Sequence, residues 1–130
     1  MCGIAGFWSP SLAASVRREV VRGMTLRLAH RGPDADGHWV PADTPVALGH
    51  RRLSILDLSP SGRMPMASAD GRHVLVFNGA IYNYVELRAE LAREVPFRSS
   101  GDTEVILQGF RVWGWDRLLD RLDGMFAFAL

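Results

Sequence analysis

The chain contains no lysine. All 15 of its basic residues are arginine, and 14 acidic residues leave a net charge of +1. So balanced a chain has no electrostatic footprint for nucleic acid or for an anionic membrane surface. Its single cysteine, Cys2, excludes an internal disulfide and a cysteine-rich metal site. His30, His38, His50 and His73 are scattered without metal-ligand spacing, so no metal site is expected. No stretch approaches ~20 uninterrupted apolar residues, which argues against a membrane-spanning helix. The first ten residues lack the basic region and apolar run of a signal peptide. The cytoplasm is then the default compartment, and it keeps a lone thiol reduced.

What is present suits a packed domain. A length of 130 residues implies one domain at most, and 48% hydrophobic residues can fill a core. Gly3 to Trp8 reads as a short strand ended by Ser9-Pro10. Leu12, Val16, Val20, Met24 and Leu28 recur every four positions, which predicts one buried helical face. Arg31-Gly32-Pro33-Asp34 stops that helix, because Pro33 lacks an N–H and restricts Gly32. Two strands are expected at 37–40 and 46–50, with 52–57 extending the sheet and a Ser-, Pro- and Gly-rich loop over 58–71. The strand Arg72 to Phe77 is expected to end in a turn at Asn78-Gly79.

The second half reads as mostly helical. Asn83 is an expected N-cap for a helix through Arg93. Val105, Ile106, Gly109, Phe110 and Trp113 give a helix over 103–113 its apolar stripe, with Asp102 at its N-terminus, where the helix dipole favours a carboxylate. A short helix is expected over 116–122, then a turn at Asp123-Gly124 and a wholly apolar strand from Met125 to Leu130. Strands and helices mix without regular alternation, which points to an α+β class. The chain stops inside its most hydrophobic strand. It therefore reads as C-terminally truncated, and as an isolated piece it is expected to be poorly stable, with an apolar edge left uncovered.

Cys2 carries the most chemistry. If Met1 is removed, the second residue becomes the N-terminus and holds a thiol and a free α-amine together. α-Amines titrate near pH ~8, so such a group can act as a base. Nucleophile and base then sit on one residue. Taken alone, the cysteine reads first as a buried, unreactive side chain on a first strand.

Seven blocks change that balance: Met1-Cys2-Gly3-Ile4-Ala5-Gly6, His30-Arg31-Gly32-Pro33-Asp34, Gly49-His50-Arg51-Arg52-Leu53-Ser54-Ile55, Pro65-Met66, Asn78-Gly79-Ala80-Ile81-Tyr82-Asn83, Asp102-Thr103-Glu104-Val105-Ile106 and Gly124-Met125-Phe126-Ala127-Phe128-Ala129. In this order, and over essentially the whole chain, they resemble the N-terminal glutaminase domain of glutamine-hydrolysing asparagine synthetases. These are class II glutamine amidotransferases of the N-terminal-nucleophile hydrolase superfamily. The resemblance implies the αββα four-layer sandwich of two antiparallel sheets, here in part. It also implies an ATP-using synthetase domain C-terminal to the glutaminase domain, normally in the same chain.

The implied reaction is hydrolysis of L-glutamine to glutamate and ammonia, with Cys2 as nucleophile. The resemblance assigns the oxyanion hole to the Asn78 side-chain amide and the Gly79 backbone N–H. It assigns the substrate α-carboxylate to Arg52, whose guanidinium fork suits a bidentate partner, and the α-ammonium to Asp102. Leu53, Ser54, Ile55 and Leu56 would line the pocket, with Asn78, Gly79 and Ala80 beside them. Arg31 is expected to support the nucleophile end, and Arg51 reads as a solvated charge. No cofactor is implied in this domain; ATP and magnesium belong to the synthetase domain. The resemblance allows a homodimer of the full-length form and makes aspartate the default amide acceptor.

Three residues depart from the family pattern. Ala80 stands where Glu is usual, Met64 where Gln is usual, and Gly101 where Ser is usual. The missing Glu would help hold the glutamine amine, and one charge-assisted hydrogen bond lost there costs ~1.5–3 kcal/mol of binding. A loosened glutamine site is expected. The alternative reading is a truncated or degenerate non-catalytic module with a binding or scaffold role.

Overall fold

The computed structural model describes all 130 residues. Six strands and four α-helices follow the order β1 (Gly3–Trp8), α1 (Ala14–Arg27), β2 (Ala35–Trp39), β3 (Val46–Arg52), β4 (Met66–Ala67), β5 (Val74–Ile81), α2 (Tyr84–Leu91), α3 (Thr103–Trp113), α4 (Trp115–Leu119) and β6 (Gly124–Ala129). The strands form two three-stranded antiparallel sheets, ordered β1-β3-β2 and β4-β5-β6. The class is α+β. No helix is long and apolar enough to cross a membrane.

Strand β5 shows why the core sits where it does. Alternate side chains leave a strand on opposite faces. Leu75, Phe77 and Ile81 therefore pack with Leu87, Leu91, Val105, Ile106, Leu107 and Leu118 of the helices, the larger core. Val74 and Val76 point the other way and meet Leu48 of β3, with Ile4, Trp39 and Val46 around them. Helix α3 enters the larger core deeply, and every residue from Thr103 to Gly109 is buried.

Three expectations are corrected. The stripe of α1 is not its buried face: Val16 and Val20 are 41% and 40% exposed, while Arg17, Val21 and Thr25 are buried. Gly49 decides this. A Cβ there would collide with Thr25 Cγ2 and stand 3.0 Å from Val21 Cγ2, so the bare glycine lets α1 settle on β3 by that face. Arg17 tolerates burial because its guanidinium donates to the Leu12 and Pro41 carbonyls at 2.8 and 2.7 Å.

Asn78-Gly79 is not a turn. β5 runs straight through it to Ile81, with Asn78 opposite Ala127 and Gly79 opposite Phe126 of β6. Finally, 52–57 does not extend the sheet: β3 ends at Arg52, and the chain enters a loop with a single 3-10 turn at Pro60–Gly62. The strand β6 pairs only with β5, and Met125 and Phe126 on it are exposed.

Candidate active site

A cleft lies where the end of β3, the loop after it, β5 and the start of α3 converge. Met1, Cys2, Arg52, Leu53, Ser54, Ile55, Leu56, Gly79 and Asp102 all line it. Eight of the ten residues proposed from sequence thus share one concavity. The other two, Asn78 and Ala80, fall on the opposite side of the β5 alternation from Gly79. The Asn78 Oδ1 is enclosed there without a hydrogen-bond partner.

The Cys2 sulfur sits against one peptide unit. It lies 3.4 Å from the Leu53 amide nitrogen and 3.6 Å from the Leu53 carbonyl oxygen. Arg31 Nε donates to the Cys2 carbonyl at 3.0 Å and fixes the backbone of that residue.

The Arg31-Gly32-Pro33-Asp34 segment buttresses the cleft from behind. Asp34 Oδ2 accepts from the Ser54 amide at 2.7 Å, and the Asp34 amide donates to the Arg52 carbonyl at 3.0 Å. The Gly32 carbonyl accepts from Arg51 Nε at 3.0 Å. Arg51 also lies 3.8 Å from Asp36, so it is held against the protein rather than being a free solvated charge.

Arg52 is buried, and its guanidinium faces the loop that follows it. It donates to the Ser59 carbonyl at 3.0 Å and to the Asp57 carbonyl. A guanidinium has five N–H donors, so these two bonds leave others for a ligand.

Asp102 is also buried, but it does not cap α3 as its position suggests. No side-chain capping bond forms; instead Oδ2 accepts from the Ile81 amide at 3.0 Å, joining α3 to the end of β5. Burial raises its carboxyl above the ordinary range, and the Ile81 N–H only partly offsets this. A buried carboxylate short of charge partners favours an incoming cation.

Sequence reasoning missed the residues that brace these groups. Asp57 Oδ1 accepts from the Ser59 amide at 2.8 Å, and Oδ2 from the Ser100 amide at 2.9 Å. Hydrogen bonds from Ser59 and from Ser100 lower its carboxyl to about 2 despite the opposing effect of burial. Glu104, wholly buried, accepts from the amides of Arg98 and Ser99 and from the Ser99 hydroxyl. Three consecutive N–H groups, 98 to 100, thus end on two carboxylates. The Asp57-Leu58-Ser59 spacing carried a local signal, an Asp bonding its own backbone two residues on. The bond to Ser100 crosses 43 positions and had none.

A thiol, a guanidinium and a buried carboxylate, those of Cys2, Arg52 and Asp102, line one cleft. The family model for the glutamine amidotransferase domain matches residues 1–130, and the chain belongs to that family. It is similar over its whole length to asparagine synthetase [glutamine-hydrolyzing] 1 of Bacillus subtilis (strain 168), at 39% identity, covering 20% of that protein. It is likewise similar to asparagine synthetase B [glutamine-hydrolyzing] of Escherichia coli (strain K12), at 39% identity over 130 residues and 23% of that protein. Amidase chry2 of Gibberella zeae is 40% identical over 140 residues, with 21% of it covered. The chain spans about a fifth of the length of the curated relatives it matches.

Proposed function

We propose that this chain is the glutaminase part of an asparagine-synthetase-like amidotransferase, hydrolysing glutamine at Cys2. The observation that carries the reading is the meeting of Cys2, Arg52 and Asp102 in one cleft. Arg52 takes the substrate α-carboxylate and Asp102 the α-ammonium, which brings the side-chain amide to the sulfur. Removal of Met1, which itself lines the cleft, bares the α-amine.

Cys2 Sγ then attacks the amide carbon while the α-amine takes the thiol proton. The Gly79 N–H, on the cleft side of β5, meets the tetrahedral oxyanion; the resemblance adds the Asn78 amide, which would have to turn from the other side of the strand to join it. As the C–N bond breaks, the α-ammonium returns its proton and ammonia departs. A γ-glutamyl thioester remains on Cys2. Water, activated by the same amine, attacks it; glutamate leaves and the thiol is restored.

The two sheets and flanking helices belong, in this reading, to the αββα sandwich of N-terminal-nucleophile hydrolases, in a cytoplasmic enzyme. Ammonia would pass to a C-terminal synthetase domain that uses ATP and magnesium and amidates aspartate by default. The length of the relatives supports such a partner domain.

The test is glutamate release by the full chain with Met1 removed, together with labelling by an alkylating glutamine analogue. Activity abolished by Cys2→Ala, with the label on the N-terminal peptide, is expected. Ala80, lacking the usual carboxylate, favours the second reading of a non-catalytic binding module. A folded chain that neither releases glutamate nor takes the label would establish that reading instead.

A further inference from the structure

We propose that Asp57 is a positioning residue for glutamine, a clasp that holds the carboxylate-reading and ammonium-reading walls of the cleft in register. The inference rests on the glutaminase reading above. It adds a residue that contributes through the two loops it joins.

The geometry is specific. One carboxylate oxygen accepts from Ser59 in the loop that follows Arg52, and the other accepts from Ser100, two residues before Asp102. The Asp57 main-chain carbonyl meanwhile accepts from the Arg52 guanidinium. A single residue therefore touches Arg52 through its backbone and the approach to Asp102 through its side chain. Close packing leaves the clasp little play: a Cβ on Gly62 would stand 3.2 Å from Asp57 Cβ and Cγ, and one on Gly101 3.4 Å from Asp57 Cβ. Glu104 holds Arg98 and Ser99 from the far side, so Ser100 is the amide of this loop that answers to the Arg52 side.

A zwitterion is bound well only if both readers stand at the right separation. Charge-assisted hydrogen bonds set that separation firmly, because an ionised acceptor is a stronger and more directional anchor than a neutral one. Asparagine at 57 keeps the shape but can offer only one oxygen. With that oxygen on Ser59, its amide nitrogen opposes the Ser100 N–H, donor against donor.

The experiment uses the full chain with Met1 removed and compares it with Asp57→Asn. Glutamine hydrolysis is followed by glutamate release, and Cys2 reactivity by iodoacetamide alkylation read on the N-terminal peptide. Iodoacetamide has neither an α-carboxylate nor an α-ammonium. The expected result is a rise of about tenfold or more in KM for glutamine, the scale of one charge-assisted bond. The kcat should stay within about threefold and the alkylation rate should not change.

An unchanged KM, or a fall in kcat and alkylation in step with it, overturns the clasp. A parent chain that releases no glutamate overturns the glutaminase reading and the clasp with it. An active parent with a silent Asp57→Asn overturns the clasp alone. Should Asp57→Asn not fold, Ser59→Pro carries the test. Ser59 has φ −76°, which proline adopts, and only its N–H to Asp57 and its hydroxyl are lost. A KM raised severalfold supports the clasp, and an unchanged one refutes it.

Discussion

His50 Nε2 lies 3.1 Å from the Phe77 carbonyl oxygen and ties β3 to β5 one residue before Asn78. The carbonyl can only accept, so Nε2 carries the ring proton. Nδ1 is left enclosed without a partner. Protonating it would put a second N–H and a charge where nothing receives them, and burial accordingly lowers the His50 pKa to about 4 from 6.5.

Stability should therefore depend on pH in a definite window. Above pH 6.5 the ring is neutral whether the chain is folded or not. Between 6.5 and 4 the unfolded chain gains a proton that the folded one refuses, so stability falls as pH falls. The loss levels off below 4 at about 3 kcal/mol. Burial lowers His38 as well, and it adds a slope of the same sign. Urea denaturation at steps from pH 7.5 to 4 should show this decline, and His50→Gln should flatten most of it. A parent profile level across the window would contradict the account.

Asp102 predicts a pH effect on binding instead. Its carboxyl is raised by burial, so the empty site gains a proton at a higher pH than an ordinary aspartate. A substrate ammonium needs the ionised form and would pull that pKa down. Glutamine affinity should then weaken as pH falls through the raised value, with proton release on binding in that range. Calorimetry in two buffers of different ionisation enthalpy checks this. Asp102→Asn should abolish the linkage, and linkage that survives it would assign the proton to another group.

Gly62 offers a test of Arg52 that leaves the arginine itself in place. A Cβ there would stand 2.5 Å from Arg52 Nη2, the mobile end of a long side chain rather than backbone. Gly62→Ala should therefore displace the guanidinium from the Asp57 and Ser59 carbonyls, at ~1.5–3 kcal/mol for each of the two charge-assisted bonds lost. The KM for glutamine should rise severalfold, and the melting temperature should fall by roughly ten degrees or more. A large drop in melting temperature with unchanged KM would mean that the loop, not the guanidinium, absorbs the clash.

The limits of reading this chain from its residues are visible in particular places. Helix α3 was legible at both ends because its apolar stripe and its burial coincide. The buried face of α1 was not, because Gly49 on another strand selects it. Asn78-Gly79 carries a strong local turn signal, yet pairing with Ala127 and Phe126, some 50 residues away in sequence, holds it extended. The cleft was legible as residues and not as a scaffold. Cys2, Arg52 and Asp102 stand in motifs, whereas the bonds that aim them are long-range: Arg31 to Cys2, Asp34 to Ser54, Asp57 to Ser100.

Ala80 is where the departure from the family pattern can be reversed. It is the residue before Ile81, whose amide Asp102 holds, but its side chain leaves β5 on the side away from Gly79, so a longer acidic side chain must reach round the strand end to join the proposed ammonium reader. The Ala80 backbone is paired in the β5–β6 ladder, with Gly124 close against its carbonyl. Ala80→Glu must therefore act through its side chain. A second carboxylate near Asp102 repels it in the empty site and joins it once an ammonium arrives. That favours a lower KM for glutamine, by about tenfold for one charge-assisted hydrogen bond, with little change in kcat. Steady-state kinetics of glutamate release against glutamine concentration would reveal it. A KM that stays put would show that the cleft reads the ammonium through Asp102 alone.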